Sequence, residues 1–289
     1  MKLLHINSYY SCSSFYKCLY NKQIESGLDI DVYVPVPETL NITNLDLGEY
    51  TTISKNHRKY DRIIFLVKHR KIYYDIVKTF DISKFSLVHA HSLFSNGYIA
   101  YKIKKKYNVP YIVAVRNTDI NVFFKYMFHL RKLGIEILKE AERIIFLSKT
   151  YRDFLIEKYI QDTLKEEIII KSEVIPNGID DFWLQNKGTP KTLTKQKINL
   201  LTVGILSRNK NQLAIIKAIK LLQSNGYKIK YTIVGKVKDE KIYQQIKDLS
   251  WVRYIPHSSK KELLDIYRTH DIYVMPSITE TFGLVYAEA

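Results

Sequence analysis

The last stretch of the chain has residue types that suit binding of a phosphorylated sugar. A short apolar run, Asp271–Met275, precedes a loop with Glu280 and Gly283, and the residues from Leu284 onward favour a helix. A helix N-terminus offers unpaired backbone N–H groups and partial positive charge to a diphosphate. Glu280 and Glu288 are eight positions apart, and ionised carboxylates accept strong hydrogen bonds from sugar and ribose hydroxyls. A helix cap at Glu280 and a solvated helix face at Glu288 would explain the same spacing without function.

The context of these two carboxylates resembles the E-x7-E signature of glycosyltransferase family 4. The matching residues are Pro276-Ser277, Glu280, Phe282-Gly283-Leu284 and Glu288-Ala289, and the resemblance covers nearly the whole chain. It implies an α/β fold of the GT-B type, with two Rossmann-like doubly wound domains that face a cleft. It also implies retaining transfer of a hexose-type sugar from a UDP- or GDP-sugar to a saccharide or lipid-linked acceptor. We expect neither a cofactor nor a metal ion.

A second segment resembles the loop through which the family meets the donor diphosphate. It is Val203–Gln212, with Lys210 at the family's lysine position. The family commonly has an arginine directly after the glycine, where this chain has Ile205, and Arg208 is the candidate substitute. The alternative without function is that Arg208 and Lys210 are solvated charged residues of a loop. The predicted donor-binding residues are Arg208, Lys210, Glu280, Thr281, Phe282, Gly283, Leu284 and Glu288.

Polar residues in the first half of the chain form the predicted acceptor side. His91 follows an apolar run, at the strand end where open α/β sheets place ligands, and His89 is expected to point into packing. Two histidines at this spacing without a nearby cysteine or acid are a poor metal site. Relatives often carry His-Gly-x-Asp where this chain has Asn117 and Asp119, and an amide cannot exchange a proton as histidine does. Helix capping is an equal alternative for Asp119.

The resemblance thus gives two further sets of residues. Many relatives have a glycine-rich loop after the first strand. The corresponding loop of this chain has no glycine but contains small residues, among them Ser11. The acceptor-side prediction is Ser11, His91, Asn117 and Asp119. The catalytic prediction is Glu280, Lys210 and Asp119, in which Glu280 orients the sugar and Lys210 stabilises the departing diphosphate. Glu288 is expected to hold the ribose.

Alternating strands and helices must position these residues. Parallel strands joined by crossovers follow from that alternation, which predicts two doubly wound domains. We expect an N-terminal domain at 1–175, a linker at 176–197 and a C-terminal domain at 198–289, too short to be complete. A long helix is expected before Arg143, and the stretch from Pro37 to about Ile53 is expected to be irregular. The predicted strands are Leu3–Ser8, Asp31–Val36, Arg62–Val67, Leu87–Ala90, Pro110–Val115, Arg143–Leu147, Asn199–Leu206, Ile229–Val234, Val252–Ile255 and Ile272–Met275.

Composition narrows the choice of partners. The formal charge of +16 is spread evenly, since residues 1–175 carry 27 Lys and Arg against 19 Asp and Glu, and the rest 18 against 10. An even excess argues against a nucleic-acid-binding face and favours anionic substrates or lipid surfaces. Val122–Leu138 interleaves aromatic and basic residues, which suits either an anionic membrane face or a partly buried helix. With no leader or spanning segment evident and only two cysteines, Cys12 and Cys18, we expect a cytoplasmic chain with reduced thiols.

Three other functions fit parts of the sequence. A nucleotide-sugar epimerase shares the GT-B architecture but needs acid–base residues beside a C2 proton. An inactive sugar-nucleotide-binding protein is compatible with Ile205 and Asn117. A basic nucleic-acid binder would show strongly salt-dependent binding. The context of Glu280 and Glu288 fits transfer better than epimerisation. The segment Ile6–Tyr10 resembles a subgroup associated with bacterial surface-polysaccharide assembly.

Overall fold

The computed structural model describes residues 1–12, 15–41, 47–189, 197–280 and 282–289. These residues form two compact units, Met1–Asn177 and Gly178–Ala289. Each unit is a parallel β-sheet with helical crossovers, as the alternation in the sequence predicts.

The first unit contains a seven-stranded parallel sheet with the order β3-β2-β1-β4-β5-β6-β7. Strand order reverses between β1 and β4, which are hydrogen-bonded neighbours. The strands are β1 (Lys2–Ile6), β2 (Asp29–Pro37), β3 (Thr51–His57), β4 (Leu87–Ala90), β5 (Tyr111–Val115), β6 (Arg143–Phe146) and β7 (Ser172–Val174). The α-helices are α1 (Phe15–Glu25), α2 (Phe65–Thr79), α3 (Gly97–Tyr107), α4 (Arg131–Glu140), α5 (Lys149–Tyr159) and α6 (Asp162–Lys171).

The second unit contains a four-stranded parallel sheet with the order β10-β9-β8-β11. Here the reversal lies between β8 and β11. Its strands are β8 (Ile198–Val203), β9 (Ile229–Val234), β10 (Val252–Ile255) and β11 (Ile272–Tyr273). Its helices are α7 (Asp181–Gln185), α8 (Gln212–Ser224), α9 (Glu240–Ile246), α10 (Lys260–Thr269) and α11 (Leu284–Glu288).

The structure departs from the sequence-based expectations in the second quarter of the chain. The predicted strand Arg62–Val67 is wrong, because a 3-10 turn (Lys59–Ile63) leads into α2 there. The strand that joins the sheet is β3, most of which lies beyond the stretch expected to be irregular. Its residues are polar because β3 is an edge strand. Apolar runs alone do not distinguish a buried strand from a helix.

Two other segments also differ from the expectations: one predicted helix is interrupted, and the predicted linker contains a helix. The long helix expected before β6 is divided into a π-helical turn (Asp119–Phe124), a 3-10 turn (Phe128–Leu130) and α4. The predicted linker 176–197 contains α7, whose Trp183 is buried and contacts the ring of Tyr267 at a centroid distance of 5.7 Å. Part of that segment therefore belongs to the second unit. Residues 190–196 lie outside the described part of the chain.

Two glycines allow the loops after β8 and β9 to approach closely. Gly235 has a φ of +147°, and a Cβ atom built on it would lie 2.2 Å from the carbonyl oxygen of Gly204. The backbone on both sides is fixed, since Gly204 N–H donates to Val234 and Gly235 N–H donates to Ile255. A side chain at this position would have to displace main chain rather than a flexible side chain.

We predict that Gly235→Ala destabilises the second unit by roughly 2–4 kcal/mol, because the added methyl group overlaps backbone. Urea unfolding followed by tryptophan fluorescence measures this unit, since Trp183 and Trp251 are the two tryptophans of the chain. Gly188→Ala is the control, because a Cβ there meets nothing within 4 Å. Equal unfolding midpoints for the two variants would show that the loops can separate without cost.

Candidate functional site

In the second unit, the loops that follow β8 and β11 are held together by Asn209. Its side-chain amide donates to the carbonyl oxygen of Thr279 at 3.0 Å, and its Oδ1 accepts from the N–H of Thr279 at 3.1 Å. Its own carbonyl oxygen accepts from the N–H of Ile278 at 2.8 Å. Because β8 and β11 are neighbours at the reversal of strand order, their carboxyl ends lie side by side, the usual ligand position in open α/β sheets.

A cation and a carboxylate meet where these loops join. Lys210 Nζ lies 2.5 Å from Glu280 Oε2, although the two residues are 70 positions apart in sequence. The side chains are 22% and 28% exposed, so both reach solvent while being partly held by protein. This arrangement offers a positive charge for phosphate oxygens beside an acceptor for sugar hydroxyls. The structure thus brings together two of the three predicted catalytic residues.

Gly283 directly precedes α11 and lies close to the side chain of Glu280. Its φ is +68°, in the left-handed region, and a Cβ there would lie 2.6 Å from the Tyr286 ring and 3.1 Å from Glu280 Cγ. The Tyr286 hydroxyl donates to the carbonyl oxygen of Met275, which fastens the helix to the end of the sheet. The left-handed backbone at this position therefore favours glycine, and a Cβ atom would crowd the side chains of Tyr286 and Glu280.

The remaining predicted donor residues take different positions. Arg208 is exposed on the same 3-10 turn as Lys210, and Phe282 and Leu284 are half-buried at the start of α11. Thr281 lies outside the described residues. Ile205, where the family commonly has arginine, is exposed.

Glu288 lies in α11 and is half-buried. It lines a cavity of about 840 Å³ together with Trp183, Tyr267 and Asp271. Burial raises the pKa of Glu288, and the nearby Lys260 opposes that shift. The carboxyl group therefore sits in a partly dry environment, where a hydroxyl partner would be worth more than in water.

In the first unit, the reversal of strand order brings three histidines together. His5 of β1 is paired in register with His89 of β4, and His91 follows β4. His5 Nδ1 and His91 Nε2 share a hydrogen bond of 3.1 Å, and the hydroxyl of Tyr20 lies 3.2 Å from His91 Nε2. Burial lowers the pKa of His5 to about 3 and the pKa values of His89 and His91 well below their usual range. These rings are therefore neutral at physiological pH.

These histidines change the view of the predicted acceptor side. His91 is buried and its ring contacts other protein groups, whereas His89, expected to pack inward, is the more exposed of the pair. The ligand nitrogens of His5, His89 and His91 all lie within 4.8 Å of one another. The metal argument from sequence counted only two of these three imidazoles, because His5 is 84 positions away from His89.

Asp119 is an anchor for two strand ends. Its carboxylate accepts hydrogen bonds from the backbone N–H groups of Leu93, Phe94 and Arg116 at 2.8–3.1 Å. Asp119 is 1% exposed, and burial raises its pKa while these three hydrogen bonds oppose the shift. Arg116 adds a further tie, since its Nε donates to the carbonyl oxygen of His91 at 3.0 Å. The geometry shows Asp119 as a residue that positions the ends of β4 and β5.

Two of the predicted acceptor-side residues are half-buried. Asn117 accepts a hydrogen bond from the side chain of Asn121, and Ser11 lies in the 3-10 turn Tyr10–Cys12. Sequence reasoning missed His5, Arg116 and Asn209. The pairing of His5 with His89 could have been found by placing β1 beside β4, whereas nothing local in the sequence marks Asn209.

We predict that acid destabilises the first unit through its buried histidines. Their folded pKa values lie below the ordinary value of 6.5, so the unfolded chain binds protons that the folded chain excludes. Their stabilisation is complete above that pH and is lost as pH falls, by about 1.4 kcal/mol per histidine and pH unit. Urea unfolding, followed by circular dichroism at a series of pH values below 6.5, gives the slope of the free energy of unfolding against pH. His5→Gln should reduce the slope and the exposed control His257→Gln should not; equal slopes would contradict the account.

Comparison with protein families gives two matches that together cover most of the chain. Residues 18–181 match the model described as Glycosyltransferase Family 4, and residues 186–289 match the model described as Glycosyl transferases group 1.

Several curated proteins are similar over most of the chain. An uncharacterized 41.2 kDa protein in the cps region of Klebsiella pneumoniae is 25% identical over 90% of this chain and 71% of its own length. An uncharacterized glycosyltransferase of Methanocaldococcus jannaschii is 26% identical over 80% of this chain and 60% of its own length. A putative teichuronic acid biosynthesis glycosyltransferase of Bacillus subtilis is 22% identical over 100% of this chain and 78% of its own length. The chain thus spans between about three fifths and four fifths of these relatives.

Solved structures show the same fold at low sequence identity. The catalytic domain of starch synthase IV from Arabidopsis thaliana, bound to ADP and acarbose, has a TM-score of 0.65 at 14% identity and is matched over 80% of its length. A UDP-forming trehalose-phosphate synthase from Burkholderia xenovorans has a TM-score of 0.64 at 11% identity, also over 80% of its length. They cover 100% and 99% of this chain. From the family match and this likeness we conclude that the chain belongs to glycosyltransferase family 4 and has the GT-B fold.

Proposed function

We propose that this glycosyltransferase moves a hexose-type sugar from a UDP- or GDP-sugar to a saccharide or lipid-linked acceptor, with retention of anomeric configuration. The observation that carries the proposal is the contact of Lys210 with Glu280 at the carboxyl ends of β8 and β11. A site for a sugar diphosphate needs a cation beside a hydroxyl acceptor, and this contact supplies both. The Klebsiella relative in a cps region and the teichuronic acid relative support a role in cell-surface polysaccharide synthesis.

The donor would be held by charge at one end and by hydrogen bonds at the other. Lys210, with Arg208 on the same turn, faces the diphosphate, where most negative charge grows as the sugar departs. The backbone N–H groups of Phe282–Leu284 add to that stabilisation. Glu280 then accepts hydrogen bonds from the sugar hydroxyls and Glu288 from the ribose. A bound diphosphate would compete with Glu280 for Lys210, which would free a carboxylate oxygen for the sugar.

Transfer with retention is proposed to occur on one face of the sugar. The bond between the anomeric carbon and the phosphate oxygen breaks, a bond from that carbon to the acceptor oxygen forms, and the acceptor proton passes to the leaving phosphate. In this scheme no side chain has to act as a base, which suits a chain with Arg116 and Asn117, rather than a histidine, around the family's histidine position. Asp119 and His91 would then act by holding the loops of the acceptor side in place, since both are buried.

The test is release of nucleoside diphosphate. The purified chain is incubated with a panel of UDP- and GDP-sugars, with and without saccharide acceptors, and free UDP or GDP is measured. Release with at least one donor supports a transferase. Binding without release would favour an inactive sugar-nucleotide-binding protein, and a change of the sugar at C2 would favour an epimerase. A folded chain that neither binds nor cleaves any donor would contradict the proposal.

We predict that Lys210→Ala lowers donor turnover by roughly a hundredfold, because the departing diphosphate loses its main cation. Lys217→Ala is the matched control, since Lys217 is an exposed lysine on α8 of the same unit. Glu280→Gln should retain nucleoside diphosphate binding while losing turnover, because the amide accepts hydrogen bonds less strongly. Full activity of Lys210→Ala would show that the diphosphate binds elsewhere.

We predict that Arg208→Ala weakens donor binding by at least about tenfold, if Arg208 replaces the arginine that the family carries at the position of Ile205. Titration calorimetry with the accepted donor measures the change. Arg253→Ala, which removes an exposed arginine on β10, is the control. Unchanged affinity in Arg208→Ala would assign this side chain to the solvated surface.

A further inference from the structure

The first unit exposes a row of large apolar side chains at the start of α2. They belong to the 3-10 turn and the first turn of the helix, and Ile63 is 81% exposed. We name this set, Ile63, Ile64, Leu66 and Val67, the apolar ridge; all four are exposed. Contiguous exposed apolar side chains often mark a surface that contacts another protein or a membrane.

A second exposed apolar segment lies beside the ridge. It follows β5 and contains Val122, Tyr126 and Phe128, of which Phe128 is 72% exposed. The two segments meet through Phe65 of α2 and Phe123, whose ring centroids are 5.9 Å apart. From the sequence, Val122–Leu138 was one candidate for a membrane-facing segment. In the structure, the exposed residues of its first part lie beside the apolar ridge.

Positive charge accompanies the ridge. A cavity of about 600 Å³ is lined by Leu66 of the ridge and by four basic side chains and three tyrosines: Arg70, Lys102, Lys105, Lys106, Tyr73, Tyr74 and Tyr98. None of the residues that line this cavity is acidic. The Arg70 guanidinium lies 5.6 Å from the centre of the Tyr74 ring, and Lys105 forms an ion pair of 2.6 Å with Glu140 at the side. Such a cavity suits phosphate oxygens.

We propose that this face, formed by the apolar ridge, Val122, Tyr126, Phe128 and the basic cavity, docks on an anionic lipid bilayer. Exposed aliphatic and aromatic side chains beside clustered lysine and arginine are complementary to acyl chains below a layer of lipid phosphates. Among the described residues, no helix combines the length and the hydropathy that a membrane span requires.

The place of this face in the fold links it to the acceptor side. The ridge follows β3, and the second segment follows β5 and begins at Asp119, so both leave the carboxyl edge of the parallel sheet. The apolar part of this face would therefore bring a lipid-linked acceptor to the edge where the acceptor residues lie, whereas the lysines of the basic cavity lie in the second half of α3, towards the opposite edge. In this respect the inference rests on the proposed function and names the surface that would deliver its acceptor.

The test is flotation of the full chain with vesicles. The chain should float with vesicles that contain phosphatidylglycerol and much less with pure phosphatidylcholine, and added salt should weaken the binding. Ile63→Ser combined with Ile64→Ser should weaken partition at least about tenfold, because two aliphatic side chains no longer insert. Ile170→Ser is the control, since Ile170 is 71% exposed on α6 of the same unit.

A charge variant separates the two components of the surface. Lys102→Glu combined with Lys106→Glu should also weaken anionic partition at least about tenfold and reduce its salt dependence. Equal partition of wild type and both double variants, or equal flotation with the two vesicle types, would overturn the proposal. Binding of inorganic phosphate without flotation would also overturn it and leave an anion site. Nucleotide release measured on the same variants in solution tests donor chemistry separately, so either proposal can fail alone.

Discussion

The candidate donor site depends on one contact, that between the Lys210 ammonium and the Glu280 carboxylate. It can form only because β8 and β11, widely separated in sequence, are neighbours in the sheet, so that the loops after them leave the same edge together. Asn209 fastens one loop to the other, and the absence of a side chain at Gly283 leaves room for Glu280 and Tyr286. Each of these devices serves to hold a cation beside a carboxylate where solvent still reaches both.

The first unit uses the same reversal of strand order for a different purpose. Where β1 meets β4, the polar side chains turn inward: His5, His91 and Tyr20 contact one another, and Asp119 binds backbone N–H groups from the end of β4. These contacts fix the conformation of the loops at this edge. In the same unit, the exposed apolar ridge would suit lipid acyl chains, and the basic cavity would suit lipid phosphates. On our two proposals, donor chemistry would belong to the second unit and surface recognition to the first.

Sequence reasoning succeeded where the information was local. The strands Leu87–Ala90, Ile229–Val234 and Val252–Ile255 were predicted with the bounds that the structure gives, because turn signals or polar residues flank each apolar run. It failed where a hydrogen-bond partner is distant in the sequence and where an apolar run is exposed instead of buried. The anchoring role of Asp119 depends on N–H groups about 25 residues away. The run Arg62–Val67 was predicted as a strand although four of its five apolar side chains are exposed.

The central claim is that Lys210 binds the donor diphosphate beside Glu280. The most direct measurement compares, by calorimetry, the affinities of a nucleoside and its diphosphate, uridine with UDP and guanosine with GDP, for wild type and Lys210→Ala. The account predicts that wild type prefers one diphosphate over its nucleoside by at least about tenfold, and that the preference is largely lost in the variant. Equal affinity of wild type for nucleoside and diphosphate, or an unchanged preference in Lys210→Ala, would contradict it.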